Sequence, residues 1–434
     1  MRYILTNANL LDGKLDEAGK MPVQKGVSLE IDGDTVVGIY ESGAALPADC
    51  KTVDLKGKYV MPGLINLHVH LAASGKPPKA NAKPVNYKAL FDILSVIKPA
   101  MWVFRKMEEG LAEKHLLSGV TTVRAVGGVL DLDGKVRDDI RAGKINGPRI
   151  IACNTAVSVP GGHFAGSLAT EAETPEMAVA HVEKIAKTNP DWIKLMVTGG
   201  VMDASESGEP GVLRMKPEMI RAACDKAHAL GYRVAAHVES PEGVRAALEN
   251  GVDTVEHGAS PDDAALSLFK SRNAAAVCTI SPAVPYVYLP EEISHCGDMA
   301  RNNGKVVLDG IIDCAKKCLA NGIPVGLGTD AGCNFIEPGD MWRELHYFVK
   351  YVGVTPDFSL HTATLINASL LGLDRQLGSV EIGKKADLLI CESDPLISFE
   401  AMREPFMVVA GGKMFPSPRI RKRADVQQAL DSIL

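Results

Sequence analysis

From about Gly63 onward, short β-rich runs alternate with amphipathic stretches. Eight runs carry a strand pattern: LINLHVH (64–70), VTTVRAV (120–126), RIIACN (149–154), DWIKLMV (191–197), RVAAHV (233–238), TVEHG (254–258), AVCTIS (276–281) and VGLGTD (325–330). Segments with apolar residues at helical spacing lie between them, among them PEMAVAHVEKIAKT (175–188), KPEMIRAACDKAHALG (216–231) and VVLDGIIDCAKKCLANG (306–322). Strand and helix alternating in this way predict an α/β protein, a (β/α)8 TIM barrel. The ends follow another rhythm. SLEIDGDTVVGIY carries a hairpin signal at Asp32-Gly33-Asp34, and GSVEIGKKADLLICESDP with FMVVAGGKMF returns to the same style. The predicted organisation is a small β-sandwich domain from residues 1–62 plus 378–415, the barrel over 63–377, and a tail with a final helix over 416–434. SGKPPKANAKPVNYK (74–88) reads as a long mobile loop after the first strand.

Composition narrows the partners. A 434-residue chain that is 46% hydrophobic can bury a large core. Its net charge of −6 argues against nucleic acid. No run of 18 apolar residues suggests a membrane span. The N-terminus lacks the apolar core and cleavage site of a signal peptide. Nine cysteines without a CxxC pair fit free thiols in a reducing cytoplasm.

Strand alternation then locates the chemistry. In the first run, Ile65, Leu67, Val69 and Leu71 share one face, and Leu64, Asn66, His68 and His70 share the other. Both imidazoles thus point inward at the C-terminal end of a strand, where barrel enzymes place their chemistry. Two such imidazoles can hold a metal ion, although HxH alone is equally the mark of two satisfied core histidines. Lys194, His237, His257 and Asp330 reach the same rim by the same alternation. Lysine stands apart, because an ammonium has no lone pair for a metal.

These motifs resemble the amidohydrolase superfamily over essentially the whole chain: PGLINLHVH, IKLMVTGG, AAHVES, VEHG and GLGTDAG, then HTATLINASLLGL and GSVEIGKKADLLI. IKLMVTGGVMDASESGEPG is closest to the imidazolonepropionase-related branch that holds prolidase-like and arginine carboxypeptidases. The resemblance implies two divalent metal ions, zinc being favoured by the donor types. His68 and His70 would bind the first ion. Lys194, carboxylated by carbon dioxide, would bridge both. His237 and His257 would bind the second. Asp330 would bind the first and act as general base and acid toward a bridging hydroxide. The implied reaction is hydrolysis of an amide bond in a small N-acyl amino acid or dipeptide. Alternatives are a cyclic-amide hydrolase or deaminase on the same scaffold, or a non-catalytic binding protein. A homo-oligomer is compatible with the branch, but no stretch marks an interface.

Other residues stay two-sided at this level. His163, in SVPGGHFAG, holds substrate or sits in a water-exposed loop. Arg124 clamps a substrate carboxylate or forms a structural salt bridge. Tyr286 and Tyr288 line the pocket or lie on a surface loop. Glu239 departs from the prolidase-like pattern, in which an aromatic hydroxyl is expected. A carboxylate there would favour a cationic substrate group, unless it is simply solvated.

Overall fold

The first 62 residues begin a sheet that the end of the chain completes. The computed structural model describes residues 1–78, 89, 93, 94 and 96–434, so residues 79–88 of the loop read at 74–88 lie outside the described residues. β1 (Arg2–Leu11) pairs antiparallel with β2 (Val23–Asp32), which turns through Gly33 at φ +60° into β3 (Thr35–Tyr40). This is the hairpin expected at Asp32-Gly33-Asp34. β4 (Lys51–Asp54) and β5 (Tyr59–Pro62) both lie parallel to β1.

Ten strands follow in two parallel sheets. β6 (Leu64–Val69), β7 (Val120–Ala125) and β8 (Arg149–Ala152) form the smaller one. β9 (Ala156–Ser158), β10 (Ala169–Glu171), β11 (Ile193–Met196), β12 (Val234–Val238), β13 (Thr254–His257), β14 (Ala275–Cys278) and β15 (Val325–Leu327) form the larger, in the order β10-β9-β11-β12-β13-β14-β15. All eight predicted runs contain a strand. β9 and β10 are additions, three residues each, too short to carry a periodic signal.

Backbone hydrogen bonds link the two sheets at two places. Asp191 N donates to Ala152 O (2.7 Å) at one. At the other, Asp330 N donates to His68 O (2.8 Å) and His70 N to Ala331 O (2.7 Å). Asn367 clamps this second place, its amide donating to Ile65 O and Leu327 O and accepting from Leu327 N. Asn367 follows a π-helical turn, Thr362–Ile366, inside the closing helix read at 361–373. That segment is therefore three short pieces, beginning at Pro356 with Thr355 as its cap. Leu371 and Leu373 beyond it pack against two interior clusters at once, one with Ile65, Leu67 and Val277 and one with Trp192, Cys153 and Ala235.

Register sorts the side chains. His237 on β12, Glu256 on β13, Val277 on β14 and Gly326 on β15 are aligned partners on one face. Ala236, Val255, Ala276 and Val325 alternate with them and join the main cluster with Ile220, Ala223 and Val244 of the covering helices. Helices open on hydroxyl caps followed by proline at Thr174-Pro175 and Ser240-Pro241, which satisfies a free N–H and presets the first turn. After the last of these βα units the chain returns to its first sheet. β16 (Leu388–Cys391) pairs antiparallel with β5, and β17 (Met407–Ala410) and β18 (Lys413–Pro416) continue it. The small domain expected as a sandwich is hydrogen-bonded as a single eight-stranded sheet around Tyr3, Leu5, Leu29, Ile31, Leu388 and Ile390.

Candidate metal centre

His68 and His70 arrive on one side for a reason that simple alternation misses. Between Asn66 and Val69 the register of β6 on β7 slips by one residue. Before the slip, Ile65 and Leu67 join the interior cluster; after it, Val69 and Leu71 join the outer one. The expected shared face of Leu64, Asn66, His68 and His70 is thus corrected: Leu64 packs outward, and the bulge returns both imidazoles to the interior. His68 Nδ1–H donates to Glu256 Oε2 (2.8 Å) and His70 Nδ1–H to Gly127 O (2.9 Å). Both Nε2 atoms are left facing Asp330 Oδ1, at 3.5 and 3.2 Å.

His237 and His257 complete a row of imidazoles. The His257 ring centroid lies 4.7 Å from those of His68 and His237. His237 Nε2–H donates to Gly199 O (3.1 Å), which frees Nδ1. His257 Nδ1 pairs with Thr279 Oγ1 (2.7 Å), which frees Nε2. The inward placement expected of His257 from alternation is corrected in its cause: His257 shares the parity of outward-packed Val255, and a left-handed φ of +66° turns it inward. Asp330 lies beyond the end of β15 and is turned by φ +56°. Such backbone costs about 1–3 kcal/mol and concentrates at functional sites.

Burial keeps His68, His237 and His257 neutral, the form that ligates a metal. It lowers His68 to about 4 and takes His237 and His257 well below the usual range. Lys194 is 1% exposed, and its Nζ has no hydrogen-bond partner among the described residues. Burial, helped by Arg124, lowers it to about 8. Burial opposes the charge on Asp330, but His68, His70 and His257 hold its carboxyl well below the usual range. Its Oδ1 is likewise buried without a hydrogen bond.

Two sets of donors could each grip one ion. His68, His70 and Asp330 form one group and His237, His257 and Glu239 another, each with ligand atoms within 4.8 Å of one another. Glu239 is half-buried. Burial and the charges of Asp330 and Asp203 raise its carboxyl to about 8. His163 stacks on His237 (centroids 4.1 Å, planes 5° apart) and pairs with Asp203. Tyr286 is half-buried, with its hydroxyl accepting from Asn334 (3.4 Å). Tyr288 instead stacks on Tyr351 and is 46% exposed, which fits the surface reading.

Arg124 takes its structural reading. It is 1% exposed and donates to Leu67 O, Thr254 Oγ1 and Glu256 Oε1, so no fork remains for a substrate carboxylate. Glu256, which the sequence reading passed over, is the link between Arg124 and His68. Its signal was present: an acid between Val255 and His257 inside a β-rich run. Asp203 and Thr279 carried none, because their partners are remote in sequence.

Gly328 packs against this site. A Cβ there would lie 2.4 Å from the His68 Cβ and 2.7 Å from its backbone nitrogen. Gly328→Ala is expected to lower stability by about 1–3 kcal/mol, as overpacking does, and to weaken metal binding at His68. Urea unfolding with and without zinc measures both; a curve matching the parent in each condition contradicts the packing argument.

A set of parallel strands that delivers imidazoles, a buried amine and a carboxylate to one end defines an α/β protein with a site for metal-assisted chemistry. The chain belongs to the amidohydrolase family, whose pattern matches residues 59–414. An ochratoxinase of Aspergillus niger is 27% identical over 232 residues, 52% of this chain and 47% of that protein, so the match spans about half of that relative. The imidazolonepropionase of Fusobacterium nucleatum is 25% identical over 423 residues, 89% of this chain and 91% of that protein. Among solved structures, a Bifidobacterium longum protein with a provisional prolidase assignment is 34% identical, with a TM-score of 0.85 and coverage of 100% of this chain and 98% of that one. A Xaa-Pro dipeptidase with methionine in its active site is 29% identical, with a TM-score of 0.80 and coverage of 96% and 100%. No helix among the described residues is long and apolar enough to cross a membrane.

Proposed function

We propose that this chain is a binuclear metal-dependent hydrolase that cleaves the amide bond of a small N-acyl amino acid or dipeptide. The observation that carries this reading is Lys194. A buried amine without an acceptor sits within electrostatic reach of His68, His237, His257 and Asp330. Burying such a group is costly unless something pairs with it. A neutral amine can bond to the carbon of carbon dioxide and release a proton, which converts a misplaced cation into an anionic oxygen ligand.

The donor set fits two divalent ions. His68, His70 and Asp330 would hold one, His237 and His257 the other, and Lys194 both. Imidazole and carboxylate donors suit zinc. When bound, such ions lower the pKa of a shared water and polarise a carbonyl. The protein's own part is to place and move protons. Glu256 and Gly127 O fix the His68 and His70 tautomers, leaving Nε2 of each to ligate. Asp330, beside both, would take the proton of the attacking water and deliver it to the leaving nitrogen. His163 and Tyr286 are assigned to substrate contact, His163 being held by Asp203. The two parallel sheets are taken as one closed (β/α)8 barrel over 63–377, supported by hydrogen bonds between them at two places, with the small domain from 1–62 plus 378–415. Nine free cysteines support a cytoplasmic setting.

Similarity to a dipeptidase supports a linear substrate; similarity to imidazolonepropionase keeps a cyclic amide as the second reading. A panel of dipeptides, N-acyl amino acids and cyclic amides separates them. At least one linear amide is expected to exceed every cyclic one in kcat/KM by about tenfold or more. Turnover confined to cyclic amides or exocyclic amines contradicts the assignment.

A further inference from the structure

Glu239 has a place in the geometry that its expected role, selecting a cationic substrate, does not use. One carboxylate oxygen lies within 4.8 Å of a ring nitrogen of both His237 and His257, the spread of donors around a single ion. Oε2 is buried and accepts no hydrogen bond from the described residues. The backbone beneath it is pinned: Glu239 N donates to Thr198 Oγ1 (3.0 Å), and a Cβ at Gly211 would lie 2.2 Å from Glu239 O. The space above it is kept open by Gly200, where a Cβ would lie 3.4 Å from Oε2 and 3.2 Å from the His163 ring.

We infer that Glu239 is a protein ligand of the second metal ion, completing a group of two imidazoles and one carboxylate that matches His68, His70 and Asp330. The inference rests on the two-metal reading above. Without Glu239 the second ion has two neutral imidazoles and a share of Lys194, whereas the first has an acid of its own. A divalent ion attracts this carboxylate twice as strongly as a monovalent ammonium at equal distance, so the ion outcompetes a substrate cation for it. A third ligand also leaves the second ion fewer open positions. A substrate carbonyl must then enter beside Glu239 or displace it.

Zinc titration of the chelator-stripped protein against a competing chelator tests this directly. The parent is expected to show two binding steps. Glu239→Gln should weaken one step by about tenfold or more, at least the scale set by removing groups that merely orient ligands, and leave the other within about twofold. Glu239→Asp keeps the buried charge but shortens its reach, and should give the same split even where the Gln variant folds poorly. Two unchanged steps in both variants overturn the inference, including the case in which kcat/KM falls for cationic substrates alone. A parent that binds fewer than two ions overturns the two-metal reading beneath it.

Discussion

In Lys194→Ala, metal content in metal-buffered medium is expected to fall from two ions per chain to one, and amide hydrolysis by about a thousandfold or more, equivalent to about 4 kcal/mol of barrier. The direction follows from what Lys194 lacks. If it were a structural cation, Glu256 would be its natural partner. Glu256 is already engaged by Arg124, His68 and Thr254, and no acceptor among the described residues reaches Nζ. A structural role therefore predicts lost stability with metal content intact. The bridging role predicts the reverse, because removing an unpaired buried amine relieves the metal-free protein. The pH dependence has a definite sign. Only the neutral amine captures carbon dioxide, and burial lowers Lys194 to about 8. Uptake by the metal-free protein should therefore quicken as pH rises through about 8. Mass spectrometry reads the adduct, and urea unfolding separates the two roles.

Arg124→Met is expected to cost about 3–5 kcal/mol, the usual penalty for breaking one side of a buried ion pair. Both Arg124 and Glu256 are essentially inaccessible to solvent, so the variant leaves a buried carboxylate without its ion-pair partner. Burial opposes the Glu256 charge; Arg124 and then His68 overcome it and hold the carboxyl well below the usual range. With a folded pKa depressed in this way, the stabilisation is fully present above the unfolded pKa and is lost progressively as pH falls from there through the folded pKa. In the variant the carboxyl rises instead, and protonation relieves it as pH falls. The stability gap between parent and variant should thus narrow toward acid. Because Glu256 also orients His68, the metal step at His68 and His70 should weaken about 10–100-fold. Arg124→Met with Glu256→Leu should recover much of the stability and none of that affinity. Recovery of both would remove Glu256 from the site's support.

The strands and the ligand types were legible in the sequence; the backbone detail that aims them was not. Each of the eight runs became a strand because β-rich stretches bounded by glycine and amphipathic helices have few other uses. His237 followed simple alternation on an unbroken ladder. His68 and His70 came out inward only because a bulge reversed the parity of Ile65 and Leu67. His257 came out inward against its parity, through a single left-handed residue. A period of two cannot register either event. Arg124 and Glu256 needed each other to be understood, and they stand 132 residues apart. The hold of Asp203 on His163 depends on a loop whose course no periodicity sets.

The most direct measurement is the metal content of the purified protein after equilibration with zinc and bicarbonate, read together with amide hydrolysis on the same sample. Two ions per chain, both required for full activity and one lost in Lys194→Ala, are the expected result. A single ion per chain at full activity, or the same count in parent and Lys194→Ala, would contradict a centre bridged by Lys194.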